Sequence, residues 1–247
     1  MTGDYLAFIR ELPKSFGEIG AMLPSSPALG RKMVRPIEEA GRPLSILEVG
    51  PGTGPFTRQI LRRMGPRDTL TICEINARFM NRLKVRLEND PYFQRNRARV
   101  IFFQGAVQQL PAPSHDSNNG VAKFDIIVSS LPFSNFTPDT VEEILELFQK
   151  LTGGTGTVTF LEYIGLRPLA RLISSRSRRE RAAGVEKVIK EWRNRITKIG
   201  FVSTDVALLN VPPAVAIRFD FSKESAFGRE NVKNGHRTLK EFFAKAS

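Results

Sequence analysis

An acidic residue and three glycines at alternate positions mark the part of this sequence best suited to bind a ligand through its backbone. Residues 45–57 read SILEVGPGTGPFT, an apolar run that ends in an acid and opens into glycines. Glycine allows positive φ angles and lets a ligand lie against the main chain, and the helix predicted next offers free N–H groups. The spacing differs from the dinucleotide fingerprint G-x-G-x-x-G, and the Gly-Lys-Ser/Thr ending of a P-loop is absent. The stretch predicts a cofactor site of another kind.

The stretch from Glu48 to Gly54 resembles motif I, E/D-x-G-x-G-x-G, of the class I S-adenosylmethionine-dependent methyltransferases. The resemblance implies that S-adenosylmethionine is the cofactor and that the glycine turn lies under its methionine half. The residues of this stretch that the resemblance assigns to cofactor binding are Glu48, Gly50, Gly52, Thr53 and Gly54. The alternative is a glycine-rich strand-to-helix turn of some other α/β protein.

The elements around this turn alternate between strand and helix patterns. Strands are predicted at 44–49, 69–74, 100–103, 123–129 and 156–163, and 202–209 and 214–221 form a closing antiparallel pair. Such alternation indicates a mostly parallel sheet with helices on both faces. With the resemblance, it predicts a Rossmann-like class I methyltransferase fold, an α/β fold with a seven-stranded sheet. Ligands of such sheets bind beyond the carboxyl ends of the strands.

Two of these strand ends carry the other residues expected at the cofactor. Glu74 ends the second strand, and the resemblance implies that its two acceptor oxygens bind both ribose hydroxyls, with Ile75 against the adenine. The alternative role for Glu74 is an acid at a helix N-terminus. Gly105 and Ala106 follow the third strand, where the family often has an Asp that holds the adenine amino group. With Ala106 there, backbone groups or Gln104 must hold the adenine.

The end of the fourth strand resembles motif IV, where the methyl acceptor is held. The segment reads Ser129-Ser130-Leu131-Pro132-Phe133. Ser129 is expected at the cofactor, and Ser130, Leu131, Pro132 and Phe133 at the acceptor. The rRNA adenine dimethyltransferases have Asn-Leu-Pro-Tyr/Phe here, with the Asn on the base. Ser130 replaces that Asn and removes the amide pairing, and no C-terminal helical domain is recognisable; both departures count against RNA.

Four features together are similar to the bacterial phospholipid N-methyltransferases and span roughly residues 1–220. They are an amphipathic start followed by the LPSSPAL turn at 23–29, the glycine turn at 47–57, the segment VSSLPFSNF at 128–136, and a basic insert after the fifth strand. The resemblance implies methylation of the amine of phosphatidylethanolamine and its intermediates toward phosphatidylcholine, with Ser25 and Ser26 at the cofactor. An ornithine-lipid N-methyltransferase would share most of these features. Two further classes of protein are compatible with them: an RNA methyltransferase and a non-catalytic membrane-binding protein.

Transfer to an amine requires a neutral nitrogen, so a group must accept the proton of the ammonium form. Water, Tyr163 and a carbonyl near Leu131 are the candidates. Aromatic faces attract a methylated ammonium, and Phe133, Phe136 and Tyr163 are expected to provide them. No metal is expected.

The charge of the chain is concentrated in one segment. The 247 residues include 37 Lys and Arg against 25 Asp and Glu, a formal net charge of +12. Eleven of these cations and only three Glu lie within residues 165–198. Such a segment attracts nucleic acid or an anionic membrane surface. The aromatic interleaving of single-strand nucleic-acid platforms is missing, which favours the membrane and makes nucleic acid an unlikely partner.

Within this basic insert, two apolar stripes flank an arginine cluster, an arrangement suited to an anionic leaflet. The alternative is a long surface helix with solvated arginines. The stripes are formed by Leu166, Leu169, Leu172 and Ile173 and by Val185, Val188, Ile189, Trp192 and Ile196, and the cluster by Arg176, Arg178, Arg179 and Arg181.

The predicted organisation is a helical, amphipathic segment 1–43 covering the site, a methyltransferase domain 44–221 with the basic insert 165–198, and a basic tail 222–247. Apolar residues of 1–23 recur at helical steps, and they suit either packing on the core or insertion at a bilayer interface. The single Cys73 and the lack of a secretory pattern predict a cytoplasmic protein, peripherally associated with the inner face of the membrane. The oligomeric state is open.

Overall fold

The computed structural model describes residues 26–110, 123–163, 176–207 and 214–221. Expectations for Ser25 and the rest of the N-terminal amphipathic segment, for the first apolar stripe of the basic insert and for the tail 222–247 lie outside these residues. The side chains of 163–179 are likewise outside the description.

The described residues form six helices and seven strands, and the strands follow the predicted order. The helices are α1 (Pro27–Glu39), α2 (Pro55–Arg63), α3 (Ala77–Glu88), α4 (Pro91–Asn96), α5 (Pro138–Leu151) and α6 (Arg176–Ile199). The strands are β1 (Ser45–Val49), β2 (Thr69–Glu74), β3 (Val100–Gln104), β4 (Ile126–Ser129), β5 (Thr157–Tyr163), β6 (Phe201–Ala207) and β7 (Ala214–Asp220). Short 3-10 turns occupy Arg97–Arg99, Val107–Gln109 and Phe133–Asn135. Helix α4 was not predicted; it begins at Pro91 behind the N-cap Asp90, whose side chain accepts from Tyr92 and Phe93.

The predicted seven-stranded sheet is confirmed. Its order is β3-β2-β1-β4-β5-β7-β6, and only β7 runs antiparallel to its neighbours. The chain leaves β1 toward β2 on one side and returns to β4 on the other, so β1 and β4 flank the switch point of the sheet. In open α/β sheets this crevice is where ligands bind.

Alternating residues of the strands face two separate apolar cores, which places helices on both faces of the sheet. In β1, Ile46 belongs to the core covered by α1, α2, α3 and α4, whereas Leu47 belongs to the core covered by α5 and α6. Such two-sided burial is expected for parallel strands in this class of fold.

Helix α1 packs on the sheet as part of the domain core. Ser26 caps it by accepting a hydrogen bond from the Leu29 amide at 3.2 Å, and Met33 is fully buried. Thr159 of β5 donates to the Met33 carbonyl at 2.8 Å, and Arg218 of β7 pairs with Glu39 at 2.8 Å. These contacts fix α1 against the end of the sheet that carries β5 and β7.

The second apolar stripe of the basic insert lies in α6 and is used by the core. Its members Val185, Val188, Ile189, Trp192 and Ile196 are between 0% and 8% exposed and pack with α5 and the sheet. The expectation that this stripe faces a membrane is therefore wrong, because its apolar surface is already covered. The exposed face of the same helix carries Arg181, Lys187, Lys190, Arg195 and Lys198. Among the described residues, no helix is long and apolar enough to cross a bilayer.

Candidate active site

The glycine turn between β1 and α2 contains three glycines at alternate positions whose backbones are in the left-handed region. Gly50, Gly52 and Gly54 have φ angles of 69°, 56° and 81°, a region that side chains rarely enter. The Gly50 amide donates to the Cys73 carbonyl at 2.9 Å, which ties the turn to β2. A Cβ at Gly52 would meet no atom within 4 Å. The backbone at Gly52 therefore borders open space in which a ligand can lie.

Two close approaches explain why the neighbouring positions are also glycine. A Cβ at Gly54 would lie 2.4 Å from Leu83 Cδ1 of α3, and one at Gly50 would lie 3.1 Å from Leu131 Cδ2. The second approach brings the turn after β1 against the segment after β4, as the parallel pairing of Val49 with Ser129 requires. Pro55 then starts α2 at its first position. The sequence-predicted motifs I and IV thus meet in space. Within motif I, Thr53 is half-buried, and its carbonyl accepts a hydrogen bond from the Arg86 side chain at 2.9 Å.

Glu48 is a carboxylate buried directly below the glycine turn. It is 0% exposed, and among the described residues neither of its oxygens has a hydrogen-bond partner. Burial raises the pKa of Glu48 to about 8, with Glu74 adding a smaller increase, whereas the nearby hydroxyl and amide of Thr57 lower it. Thr57 stands close enough to affect this pKa, yet its hydroxyl does not reach hydrogen-bonding geometry. An unpaired buried carboxylate is costly and is stabilised by a cation.

Glu74 closes the site at the end of β2. It is 6% exposed; its Oε1 accepts from the Asn76 amide at 2.8 Å and its Oε2 from the Gly52 amide at 3.3 Å. Burial raises the pKa of Glu74, and the amides of Asn76, Gly52 and Ile75 oppose that change. A carboxylate offers about four acceptor positions, so those left after two amide bonds suffice for two hydroxyl groups. Ile75 is half-buried and packs against the core beside it.

At the end of β3, the backbone amides of Gly105 and Ala106 are engaged within the protein. Ala106 is 3% exposed and presents only a methyl group, and its amide donates to Oε1 of Gln109 at 2.9 Å. Gly105 donates to the Glu74 carbonyl at 3.1 Å. Gln104 is exposed and pairs in register with Glu74. The sequence interpretation missed Gln109, although its spacing of three residues from Ala106 is typical of a side chain that caps a short turn.

The segment after β4 presents a hydroxyl at the predicted acceptor position. Ser129 is fully buried, and its Oγ accepts from the Leu131 amide at 3.3 Å. The Ser130 amide donates to the Val49 carbonyl at 2.9 Å. Among the described residues, the buried Ser130 Oγ has no partner. Pro132 is half-buried and precedes the 3-10 turn at Phe133–Asn135. The segment therefore offers one unused polar group beside Leu131 and the glycine turn.

Two of the three aromatic residues expected to face a methylated amine, Phe133 and Phe136, lie in the core instead. Phe133 and Phe136 are 4% and 1% exposed and belong to the core. The Phe133 ring packs on Phe160 with centroids 5.1 Å apart. Tyr163 is the last residue of β5 and pairs with Ala214 of β7. The Phe133 and Phe136 rings anchor the segment after β4 in the core. Their packing does not support the expected role of binding a cation by their aromatic faces.

The fold and the glycine turn define a class of protein, and comparison with known families agrees. Residues 46–156 match the family described as a methyltransferase domain. Its matched range begins in β1, includes the glycine turn and Glu74, and ends before β5. The chain is a class I S-adenosylmethionine-dependent methyltransferase, and S-adenosylmethionine is its cofactor.

Relatives and solved structures fit this class. An ornithine lipid N-methyltransferase from Singulisphaera acidiphila is 27% identical over 154 residues, covering 62% of this chain and 75% of its own. An O-methyltransferase from Bacillus cereus in complex with SAH superposes with a TM-score of 0.56 at 16% identity, over 88% of this chain and 96% of that chain. The O-methyltransferase TomG from Streptomyces achromogenes, involved in tomaymycin synthesis and solved with SAM, gives 0.57 at 15% identity, over 88% and 95%. At these identities the structures show the shared fold.

The residues present fit this cofactor. The unpaired Glu48 carboxylate matches a cationic amino group, Glu74 has acceptors to spare for hydroxyls, and the open face of Gly52 leaves room for a chain against the backbone. Thr57, in the first turn of α2, lies near Glu48 below the glycine turn. The sequence interpretation missed Thr57, although its position three residues after the last glycine could have indicated it. Within the described ranges, no three His, Cys, Asp or Glu side chains converge to form a metal site. The predicted roles of Ser26 and Ser129 toward the cofactor stay predictions.

Proposed function

We propose that this protein is a lipid N-methyltransferase acting on a headgroup amine at a membrane surface, with phosphatidylethanolamine and its methylated intermediates as substrates. The observation that carries the proposal is in the acceptor segment: the Ser130 hydroxyl has no hydrogen-bond partner among the described residues, and the next residue, Leu131, packs against Gly50 of the glycine turn. A hydroxyl can accept one N–H of a small amine. It lacks the paired donor and acceptor with which a carboxamide recognises a base edge.

The relationship to the ornithine lipid N-methyltransferase of Singulisphaera acidiphila supports a lipid amine as the acceptor. It also favours ornithine lipid as a second candidate substrate. Both candidates carry a primary amine on a lipid headgroup, so the same hydroxyl serves either of them. They differ in the neighbouring anion, which is a phosphate in one lipid and a carboxylate in the other.

The chemistry asked of this chain is mainly alignment. The cofactor, when bound, would supply a methyl group on a sulfonium; a neutral amine would attack that carbon in line, and the thioether S-adenosylhomocysteine would leave. Glu48, Glu74 and the glycine turn fix one reactant, and the segment at Ser130 positions the other, which makes the reaction effectively unimolecular. Ser130 Oγ accepts one N–H of the amine and orients the lone pair of the nitrogen. The proton that the ammonium form of the substrate must lose before attack goes to water, to Tyr163 or to a carbonyl near Leu131.

Membrane association is part of the same proposal. The exposed face of α6 carries basic side chains, including Lys187, Lys190 and Lys198, and Lys or Arg near an anionic leaflet contributes about 1 kcal/mol each. The buried stripe on the opposite face of α6 makes this a charged contact without deep insertion. We therefore place the protein in the cytoplasm, peripherally associated with the inner face of the membrane.

The test offers radiolabelled S-adenosylmethionine with phosphatidylethanolamine vesicles, ornithine-lipid vesicles or total RNA. Label in phosphatidylethanolamine supports the first candidate, and label in ornithine lipid alone transfers the assignment to the second. Label in RNA alone would overturn the lipid proposal, and label in none of the three would indicate a binding protein that kept the fold. Glu48→Ala serves as the inactive control.

Ser130→Ala separates acceptor positioning from cofactor binding. Removal of one hydrogen bond predicts roughly a tenfold slower transfer with unchanged affinity for S-adenosylhomocysteine. Ser134→Ala, on an exposed side chain of the same segment, is the matched control and should behave like the wild type. An unaltered transfer rate in Ser130→Ala would exclude the hydroxyl from the acceptor site.

A further inference from the structure

A carboxamide is fixed at the end of β3 by the backbone of its own turn. Gln109 Oε1 accepts a hydrogen bond from the Ala106 amide at 2.9 Å, and the same oxygen would lie 2.8 Å from a Cβ placed on Gly105. Because an amide N–H only donates, the oxygen and not the nitrogen of Gln109 must face it. This bond orders an exposed side chain, and among the described residues its Nε2 group makes no hydrogen bond and can face a ligand.

The order of the strands determines which part of the cofactor reaches β3. The methyl group must meet the acceptor segment at the end of β4. An acid roughly 20 residues after a glycine turn binds the ribose in related doubly wound folds, and Glu74 stands 22 residues after Gly52. With strand order β3-β2-β1-β4, the ribose above β2 separates the methyl group from the base. The adenine therefore extends toward the end of β3.

The backbone amides of Gly105 and Ala106 are already engaged at this strand end. The Gly105 amide donates to the Glu74 carbonyl at 3.1 Å, the Ala106 amide donates to Gln109, and the Ala106 side chain is a buried methyl group. An adenine arriving here needs an acceptor for its amino group and a donor for the adjacent ring nitrogen. The Gln109 carboxamide supplies both, because its oxygen has a second lone pair and its nitrogen has two protons.

We propose that Gln109 recognises the amino-bearing edge of adenine and selects the base of the cofactor, in place of a carboxylate at Ala106. The Oε1 atom accepts from the adenine amino group, and Nε2 donates to the neighbouring ring nitrogen. The same pairing of donor with acceptor makes Gln and Asn the usual partners of adenine in nucleic acids. This inference does not depend on which acceptor the enzyme methylates.

The hydrogen bond from the Ala106 amide fixes which end of the Gln109 carboxamide accepts and which end donates toward the base. Hypoxanthine carries an oxygen where adenine has its amino group and an N–H where adenine has its ring acceptor. To pair with it, the carboxamide would have to rotate by half a turn and place its nitrogen against the Ala106 amide, donor against donor. The site therefore discriminates against hypoxanthine more strongly than a freely rotating Gln would.

Binding of S-adenosylhomocysteine and of S-inosylhomocysteine, measured by calorimetry on the full chain, tests the proposal without turnover. The wild type should prefer the adenosyl compound by at least tenfold, since a mismatched pair leaves polar groups unsatisfied. Gln109→Ala should reduce that preference to about twofold or less, a loss that corresponds to one or two neutral hydrogen bonds. Gln108→Ala, exposed on the same turn, should keep the preference of the wild type.

The ratio of the two affinities separates recognition from a structural role. If Gln109 only stabilised the turn, Gln109→Ala would weaken both ligands equally and leave the ratio unchanged, which would overturn the proposal. A wild type without preference would overturn it as well. Gln104→Ala is the competing variant, and loss of selectivity there but not in Gln109→Ala would assign the base to Gln104.

Gln109→Glu provides a second, sign-changing test that keeps the bond to the Ala106 amide. The carboxylate still accepts that N–H but replaces the Nε2 donor with an acceptor, which suits the N–H of hypoxanthine. The variant should therefore shift the ratio toward S-inosylhomocysteine relative to the wild type. A ratio that stays at the wild-type value in this variant would refute the proposed contact.

Discussion

The backbone amide of Gly52 donates a hydrogen bond to Oε2 of Glu74 across 3.3 Å. Oε1 of the same carboxylate accepts from the Asn76 amide at 2.8 Å. One side chain thus holds the glycine turn after β1 and the residue that caps α3. Because β1 and β2 are adjacent parallel strands, the turn predicted to lie under the methionine half and the acid predicted to bind the ribose form a single unit.

Glu74→Gln should weaken S-adenosylhomocysteine binding by roughly 10- to 100-fold, the usual value of hydrogen bonds to a charged group. In the wild type, the Gly52 and Asn76 amides each donate to one oxygen of Glu74. In the variant, one of these amides faces the NH₂ group of Gln, so the melting temperature should fall as well. Isothermal titration and thermal unfolding measure both effects. Glu88→Gln, on an exposed residue that pairs with Arg97, is the control. If Glu74→Gln bound the ligand as the wild type does, the ribose assignment would be wrong.

The buried Glu48 predicts that the ligand-free protein loses stability as pH rises. Its pKa is about 8 in the folded protein against 4.5 when solvated, so between these values the unfolded chain releases a proton that the folded chain keeps. The contribution of Glu48 to the free energy of unfolding is greatest below pH 4.5. It declines toward pH 8, by up to about 1.4 kcal/mol per pH unit. Glu48→Gln should flatten the dependence in thermal unfolding between pH 5.5 and 8. An equal slope in wild type and variant would contradict it.

The same carboxylate predicts that cofactor binding strengthens with pH. A cationic amino group pairs with the ionised form, so binding near pH 6 must first release the proton of Glu48. Affinity for S-adenosylmethionine should rise between pH 6 and 7.5 by up to about tenfold per unit, with proton release detected by calorimetry in buffers of different ionisation enthalpy. Glu48→Ala and Glu48→Gln should lose binding, although Glu48→Gln gains stability at pH 7.5. Retained affinity in either variant would refute the assignment of motif I.

Two glycines of the turn should respond differently to Ala. In Gly54→Ala the new methyl group would lie 2.4 Å from Leu83 Cδ1 at a φ of 81°, so a loss of roughly 1–3 kcal/mol in stability is expected. Gly52→Ala meets no atom within 4 Å and bears only the backbone strain, about 1 kcal/mol. Its methyl group instead occupies the space reserved for the cofactor. Gly54→Ala should therefore lower the melting temperature more, and Gly52→Ala should reduce binding out of proportion to its loss of stability.

Helix α6 should behave as a core element on one face and a charged surface on the other. Trp192 is 1% exposed, and truncation of a buried Trp to Ala costs roughly 3–5 kcal/mol. Lys187→Ala on the exposed face should leave the melting temperature within about 1 °C, since surface substitutions have small effects on stability. If a Trp192→Ala variant were as stable as the wild type, the assignment of the second apolar stripe to the core would be wrong, and membrane contact would again be its expected role.

Pattern alone predicted most of the fold because each element of this domain has a local signal. Strands buried on both faces read as apolar runs, and β2 begins at Thr69 and ends at Glu74 as predicted. The short α4 was missed because its signal is one Asp-Pro pair. The stripe of α6 was misassigned for a different reason: an amphipathic helix has the same periodicity whether its partner is a bilayer or a protein core.

The sequence by itself indicated the cofactor, through the resemblance of the acid and the glycines to motif I, and it placed Glu74 at the end of the neighbouring strand. Only the tertiary structure decided how these groups are used. It buried Glu48 with no hydrogen-bond partner among the described residues, engaged Glu74 with the Gly52 amide, placed Leu131 against Gly50 and packed Phe133 and Phe136 into the core. It also turned Gln109 back onto Ala106. These outcomes depend on which side chains of distant segments share one enclosed volume, and that is set by packing across the sheet rather than by spacing along the chain.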